Sequence, residues 1–225
     1  MAPVLRTLIG SCALASTVLL AACSPGGTAP VVAADISRVL DVQTTFGPEF
    51  KVTTVAPTGI DPRILAPQAL PQGVRFDPPD CGKFATGVAM PEGLKGNMAA
   101  VTAEGAGNRF ITIAVETSED VPLPEPGDNC RKVAFAGPGA RGLVEVAESP
   151  SIEGAKTLGT HRFVQTVVNG KPASGELYNY VASFESFMVI VTANPLVVPN
   201  QPVAKVDTER ARELLVAAVT DVRGN

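Results

Sequence analysis

The chain has 225 residues, with 18 Lys+Arg against 22 Asp+Glu, one His, two Tyr, no Trp and 45% apolar residues. The apolar share is enough for a packed core, and the length suits one domain or a tight pair. The acid excess argues against nucleic acid as a partner, because a phosphate-backbone binder needs a clustered cationic face. The lone His excludes multi-histidine metal sites.

The N-terminus carries one positive charge, Arg6, followed by an apolar run from Leu8 to Leu20. That run is too short for a membrane-spanning helix, which needs about 20 residues, and it fits the core of a signal peptide. It ends Leu20-Ala21-Ala22-Cys23, which resembles the bacterial lipobox. The resemblance implies cleavage before Cys23 and a lipid on its thiol; the alternative is ordinary Ala-x-Ala cleavage with Cys23 incidental. Residues 1–22 are then the signal peptide, and 23–34, rich in Pro and Gly, a tether. Residues 35–225 are expected to form a single extracytoplasmic domain. Two acyl chains of a diacylglyceryl group give stable attachment, which places the protein on the outer face of the plasma membrane.

In chain order, Asp35–Phe46 reads as a helix: Asp35 caps it, Ile36, Val39, Leu40 and Gln43 recur at helical spacing, and Gly47-Pro48 ends it. Phe50–Val55 alternates as a strand. A proline-broken loop follows from Ala56 to Pro79, with a helical turn near Ile64, and a short helix from Cys81 ends near Gly87. Met98–Ala103 and Arg109–Thr117 form a hairpin, with Ile111, Ile113 and Val115 giving one buried face. A second Pro-rich loop, Val121–Gly127, leads to another short helix at Cys130. Four strands remain: Gly142–Glu148, Thr157–Val168, Gly175–Phe184 and Phe187–Ala193. Asn169-Gly170 and Glu185-Ser186 read as hairpin turns. After the loop Asn194–Val206, Asp207 caps a helix whose apolar stripe is Ala211, Leu214, Leu215, Ala218, Val219 and Val222. Its polar face carries Arg210, Arg212, Glu213 and Asp221. The expected fold class is α+β: an antiparallel sheet of about six strands, with the first and last helices packed on it and connections too short for parallel crossovers.

Cys12 leaves with the signal peptide and Cys23 is committed to lipid, so Cys81 and Cys130 remain, an even pair in an oxidising setting. They read as a disulfide; the alternative is two free buried thiols. Asp77-Pro-Pro-Asp-Cys81 and Pro126-Gly-Asp-Asn-Cys130 both look like helix starts. A two-Cys metal site would lack further ligands, so no metal and no cofactor is expected.

Four features could carry chemistry. Gly137-Pro-Gly139-Ala-Arg-Gly142 matches G-x-G-x-x-G, but a strand follows it where a dinucleotide site needs a helix, so it reads as a turn. His161 lies within a strand, facing solvent or packing by its ring; a role in pH sensing is the functional alternative. No G-x-S-x-G elbow exists to make it part of a hydrolase triad, and no enzyme is expected. Glu116, Glu119 and Asp120 cluster at a strand end without the spacing of a calcium loop. Tyr178 and Tyr180 share one strand face, with Phe184 extending it and Phe163 opposite; core packing is one reading, the lining of an apolar ligand pocket the other.

The lipobox, the tether, the two Cys segments and the terminal Asp207-Thr-Glu-Arg helix together resemble the small mycobacterial lipoproteins of unknown function. More distantly they are similar to the extracellular sensor domain of mycobacterial receptor serine/threonine kinases. The resemblance covers Asp35 to Gly224, and carries over only Cys81 and Cys130, as a structural disulfide. It implies a twisted antiparallel sheet with helices forming a cleft for an unidentified ligand, and no catalytic residues. Those sensor domains usually hold two disulfides, whereas one pair is available here. The expectation is a lipid-anchored envelope domain that binds a ligand or partner protein without catalysis; a carrier of lipid or other apolar molecules is the alternative.

Overall fold

A computed structural model describes residues 33–61, 70, 73–88, 94–168, 170–199 and 201–224. The expected signal peptide, Cys23, the expected tether up to residue 32, the expected turn near Ile64 and Asn169 lie outside them.

The strands form a single antiparallel sheet: β1 (Lys51–Gly59), β2 (Arg75–Asp77), β3 (Gly96–Gly105), β4 (Asn108–Thr117), β5 (Lys132–Gly137), β6 (Ala140–Ala147), β7 (Lys156–Val168), β8 (Lys171–Phe184) and β9 (Phe187–Pro195). Their order across the sheet is β1-β3-β4-β9-β8-β7-β6-β5-β2, nine strands rather than about six. The added strands are β2, three residues long and too short to show a period, and β5, which alternates through Val133 and Phe135. β5 occupies residues expected to continue a helix from Cys130: a single 3-10 turn, Asp128–Cys130, passes straight into it. β4 sits centrally and is buried on both faces, with Phe110 and Ala114 on one side and Ile113 and Val115 on the other. That corrects the expectation of one buried face, because a strand flanked by neighbours on both edges can be covered above and below.

The turns follow from their residues. Ala106 and Gly107, at φ 47° and 76°, join β3 to β4, the two-residue geometry that matches strand twist. Gly139, at φ 74°, turns β5 into β6, so the glycine-rich stretch is a hairpin. Glu185, at φ 49°, turns β8 into β9.

The C-terminal helix, Thr208–Arg223, buries all six residues of its stripe. The Asp207 carboxylate accepts from the Arg210 N–H at 3.0 Å, and Gly224 closes the other end in the left-handed region, at φ 73°. The N-terminal segment, Ile36–Thr45, is a 3-10 helix, and its buried residues are Ile36, Val39 and Val42. Three residues per turn line up every third side chain, so the face differs from the α-helical one expected. The two helices are tied end to end by the Asp35 N–H donating to the Val222 carbonyl at 2.8 Å. Asn108 seats the later helix, accepting from the Asp207 N–H at 3.2 Å.

Both helices lie on one face of the sheet. They cover Ala99, Val101, Phe110, Tyr180, Val189 and Val191, a surface of small and apolar side chains. The opposite face is covered by the Pro-rich loop through Val121 and Leu123 and by the segment around Cys81, Phe84 and Ala85. Cys81 and Cys130 are bonded there, with Cα atoms 5.3 Å apart. The bridge joins one 3-10 turn that opens a short helix, Gly82–Ala85, to another that opens a strand.

Candidate functional site

The helices pack on β1, β3, β4, β9 and β8. Beyond β8 the same sheet face carries His161 and Phe163 on β7, Glu145 and Arg141 on β6, and Lys132 on β5. Those polar side chains are stable in water, so this half of the face stays open while the Ala- and Val-rich half is sealed. Side chains two apart on a strand share a face, and the register sets the neighbours: Glu145 pairs with His161, and His161 with Tyr178.

His161 is the centre of a cluster. Its ring stacks on Tyr178 with centroids 4.3 Å apart, and Tyr178 lies parallel to Tyr180 at 6.5 Å. His161 Nε2 is 3.1 Å from Glu176 Oε1, and Nδ1 is 3.7 Å from Glu145 Oε2. Glu145 is also paired with Lys132 at 2.7 Å. Lys132 above all holds the Glu145 carboxyl below its ordinary range, against the opposing effect of burial, with a lesser contribution from His161. Burial pushes the Tyr178 hydroxyl up, and the Glu176 carboxylate beside it adds to that. Tyr180 is also raised by burial, opposed by Arg212 and Thr208 of the C-terminal helix.

The three aromatic candidates therefore divide. Tyr180 is a core residue, 1% exposed. Tyr178 is half-buried, and Phe163 is 37% exposed on the open face. Phe163 lies across from Glu176, on the face of the two tyrosines. An open groove of about 580 Å³ continues past Phe163 toward the hairpin ends, lined by Arg141, Gln165, Val167, Pro172 and Ser174.

The chemistry available is recognition. The two His161 nitrogens face different carboxylates, so they cannot converge with them on one ion. Among the described residues no group of three or more His, Cys, Asp or Glu could hold a metal. Glu116, Glu119 and Asp120 lie exposed at the end of β4 and beyond it. On the other face of β7, Arg162 donates to the Ala85 carbonyl at 3.3 Å and pins the disulfide segment.

Glu145 and Glu176 were absent from the sequence-based candidates. Part of the signal was there: counting outward along the hairpin from Val168 opposite Lys171 brings His161 opposite Tyr178. Glu145 had no such signal, because the link from β6 to β7 is a long loop that fixes no register.

Fold and open face together define an extended-sheet α+β domain with one half-uncovered face. The chain belongs to the family described as "Domain of unknown function (DUF5642)", whose profile matches residues 35–223. It is 64% identical to a solved structure described as a putative uncharacterized protein, the Rv0999 ortholog, from Mycobacterium smegmatis. That match covers 86% of this chain and 99% of that chain, with a TM-score of 0.81. A distant match is the extracellular domain of PknH from Mycobacterium tuberculosis, 11% identical over 86% of this chain and 93% of that chain, with a TM-score of 0.38. Among curated proteins no match is found.

Proposed function

We propose that this is a non-enzymatic recognition domain of the cell envelope, held to the membrane by a lipid on Cys23, which binds a ligand or partner protein on its open half-sheet. One observation carries the reading: the helices stop at β8, leaving the part-buried His161–Tyr178 stack, its two carboxylates and the exposed Phe163 on an uncovered half-face beside an open groove. The carrier of lipid or apolar molecules is less well supported. Among the described residues, the enclosed space between the disulfide segment and the sheet is about 20 Å³, room for about one water molecule and not an acyl chain.

The test compares the wild-type domain with Phe163→Glu and His161→Ala. Each is immobilised and exposed to fractionated envelope lipids, glycans and proteins. A ligand retained by the wild type and lost by both variants, with melting temperatures preserved, is the expected result. Equal retention by all three would move recognition to another surface. The anchor is tested separately: Cys23→Ala should shift the full-length protein from the detergent to the aqueous phase, and unchanged partitioning would rule the lipid out.

A further inference from the structure

The two edges of the sheet are unlike. β2, at one edge, has three residues, Arg75–Asp77, with a charge at each end. β1, at the other, has nine, and every residue but Val52 is exposed. After Lys51 it reads Val-Thr-Thr-Val-Ala-Pro-Thr-Gly, without a charge. Its inner side is paired with β3 from Lys51 opposite Glu104 to Val55 opposite Ala100. An antiparallel pair uses the N–H and C=O of alternate residues on each side, so the other half of the β1 backbone groups point outward. Among the described residues no backbone hydrogen bond outside the sheet ladder involves a residue of Lys51–Gly59.

Open edges template strand addition, and proteins commonly blunt them with charge, proline or a bulge. Here the one charge is Lys51, at the first residue, and the other blunting lies past Val55. The register shifts between Val55 and Thr58, around Pro57, which has no N–H to donate. Within Lys51–Val55, that leaves Val52–Val55 without charge, proline or bulge.

We infer that Lys51–Val55 is a dimerisation edge, to which the same segment of a second copy adds antiparallel across a twofold axis. An extended row of alternating donors and acceptors fits another extended backbone. The segment is complementary to itself. Antiparallel pairing sets β-branched Val and Thr against Val and Thr and sends the two Lys51 side chains to opposite ends, roughly 14 Å apart along the strand. The short, charged β2 edge offers no second template, so assembly stops at a closed twofold pair instead of growing into a fibre. The open half-sheet near His161 takes no part in this contact.

The family's domain spans residues 35–223, within a compact unit that runs from Val32 to Asn225, so residues 35–225 are the sample. Sedimentation equilibrium is run from about 1 μM to about 1 mM, the range that reads micromolar dimers. A monomer–dimer equilibrium is expected. Thr53→Lys and Thr54→Lys place like charges near the twofold axis and should raise the dimer Kd by about tenfold or more. Thr58→Lys, beyond the bulge, should leave it unchanged. Circular dichroism confirms that the three variants fold. A wild type that stays monomeric throughout overturns the proposal, whatever else binds the edge. So does a dimer indifferent to Thr53→Lys and Thr54→Lys, or a mass that keeps rising beyond two copies.

Discussion

Glu145 links the open face to stability. Its carboxyl is held below the ordinary range chiefly by Lys132, so ionised Glu145 favours the folded state. A depressed folded value means that this contribution is present above the unfolded value, about pH 4.3, and is lost as the pH falls through the folded one. Glu145→Gln should therefore melt below the wild type at pH 7, and the gap should close on acidification toward pH 3. A constant gap would mean that the Glu145 contacts with Lys132 and His161 contribute nothing. Asp221 has the opposite sign. Burial, and then Asp41, raise its pKa, and it sits in the last turn of a helix, where a negative charge opposes the helix dipole. Asp221→Asn should raise the melting temperature at neutral pH and have no effect once the carboxyl is protonated. Gly142 acts by absence: a Cβ there would collide with the Phe163 carbonyl and the Phe135 ring. Only glycine lets β6 lie close enough to β7 to bring Glu145 to His161.

The C-terminal helix shows how far local pattern reaches. Its cap, stripe and terminal glycine are all written locally, and all six stripe residues are buried. Leu215 is fully enclosed, whereas the neighbouring Val216 is 40% exposed. Leu215→Ala removes transfer energy and leaves a cavity, at a cost of about 2–5 kcal/mol. Val216→Ala should stay within about 0.5 kcal/mol. Equal thermal melts for the two variants would detach the helix from the core. The polar face is less inert than its residues imply. Arg212 reaches the Tyr180 hydroxyl, and Arg210 lies 4.6 Å over the Phe46 ring and donates to the Thr45 carbonyl at 2.7 Å. Side chains that long cross to partners from elsewhere in the chain, which no helical wheel shows. The N-terminal helix makes the same point. The end signals located it, but the choice of a 3-10 path with Ile36, Val39 and Val42 inward was made by the surface it lies on.

At the scale of the molecule, the Cys81–Cys130 bond ties the covering segment of one face to the start of β5, across a separation of 49 residues. Replacing both cysteines by Ala should cost about 4 kcal/mol, because the unfolded chain regains the closed loop's entropy; denaturant titration reads it. A loss near zero would mean that the covering segment holds without the bond.

The sequence by itself determined what depends on neighbours in the chain: caps, apolar periods, hairpin turns and strands long enough to alternate; it also offered Cys81 and Cys130 as a pair, which the structure shows bonded. It therefore carried the α+β class, the antiparallel connections and one flank of the His161 cluster. The tertiary structure decided what depends on distant partners. It recruited Arg75–Asp77 into a strand too short to announce itself, and Lys132–Gly137 into a strand directly after the turn at Cys130. It also brought Glu145 across a loop to His161 and ended the helical cover at β8. The physical reason is that a short strand gains its hydrogen bonds and burial only from the strand beside it. Which half of a sheet face stays open is settled by where two amphipathic helices best bury their stripes, a property of the assembled surface and not of any one segment.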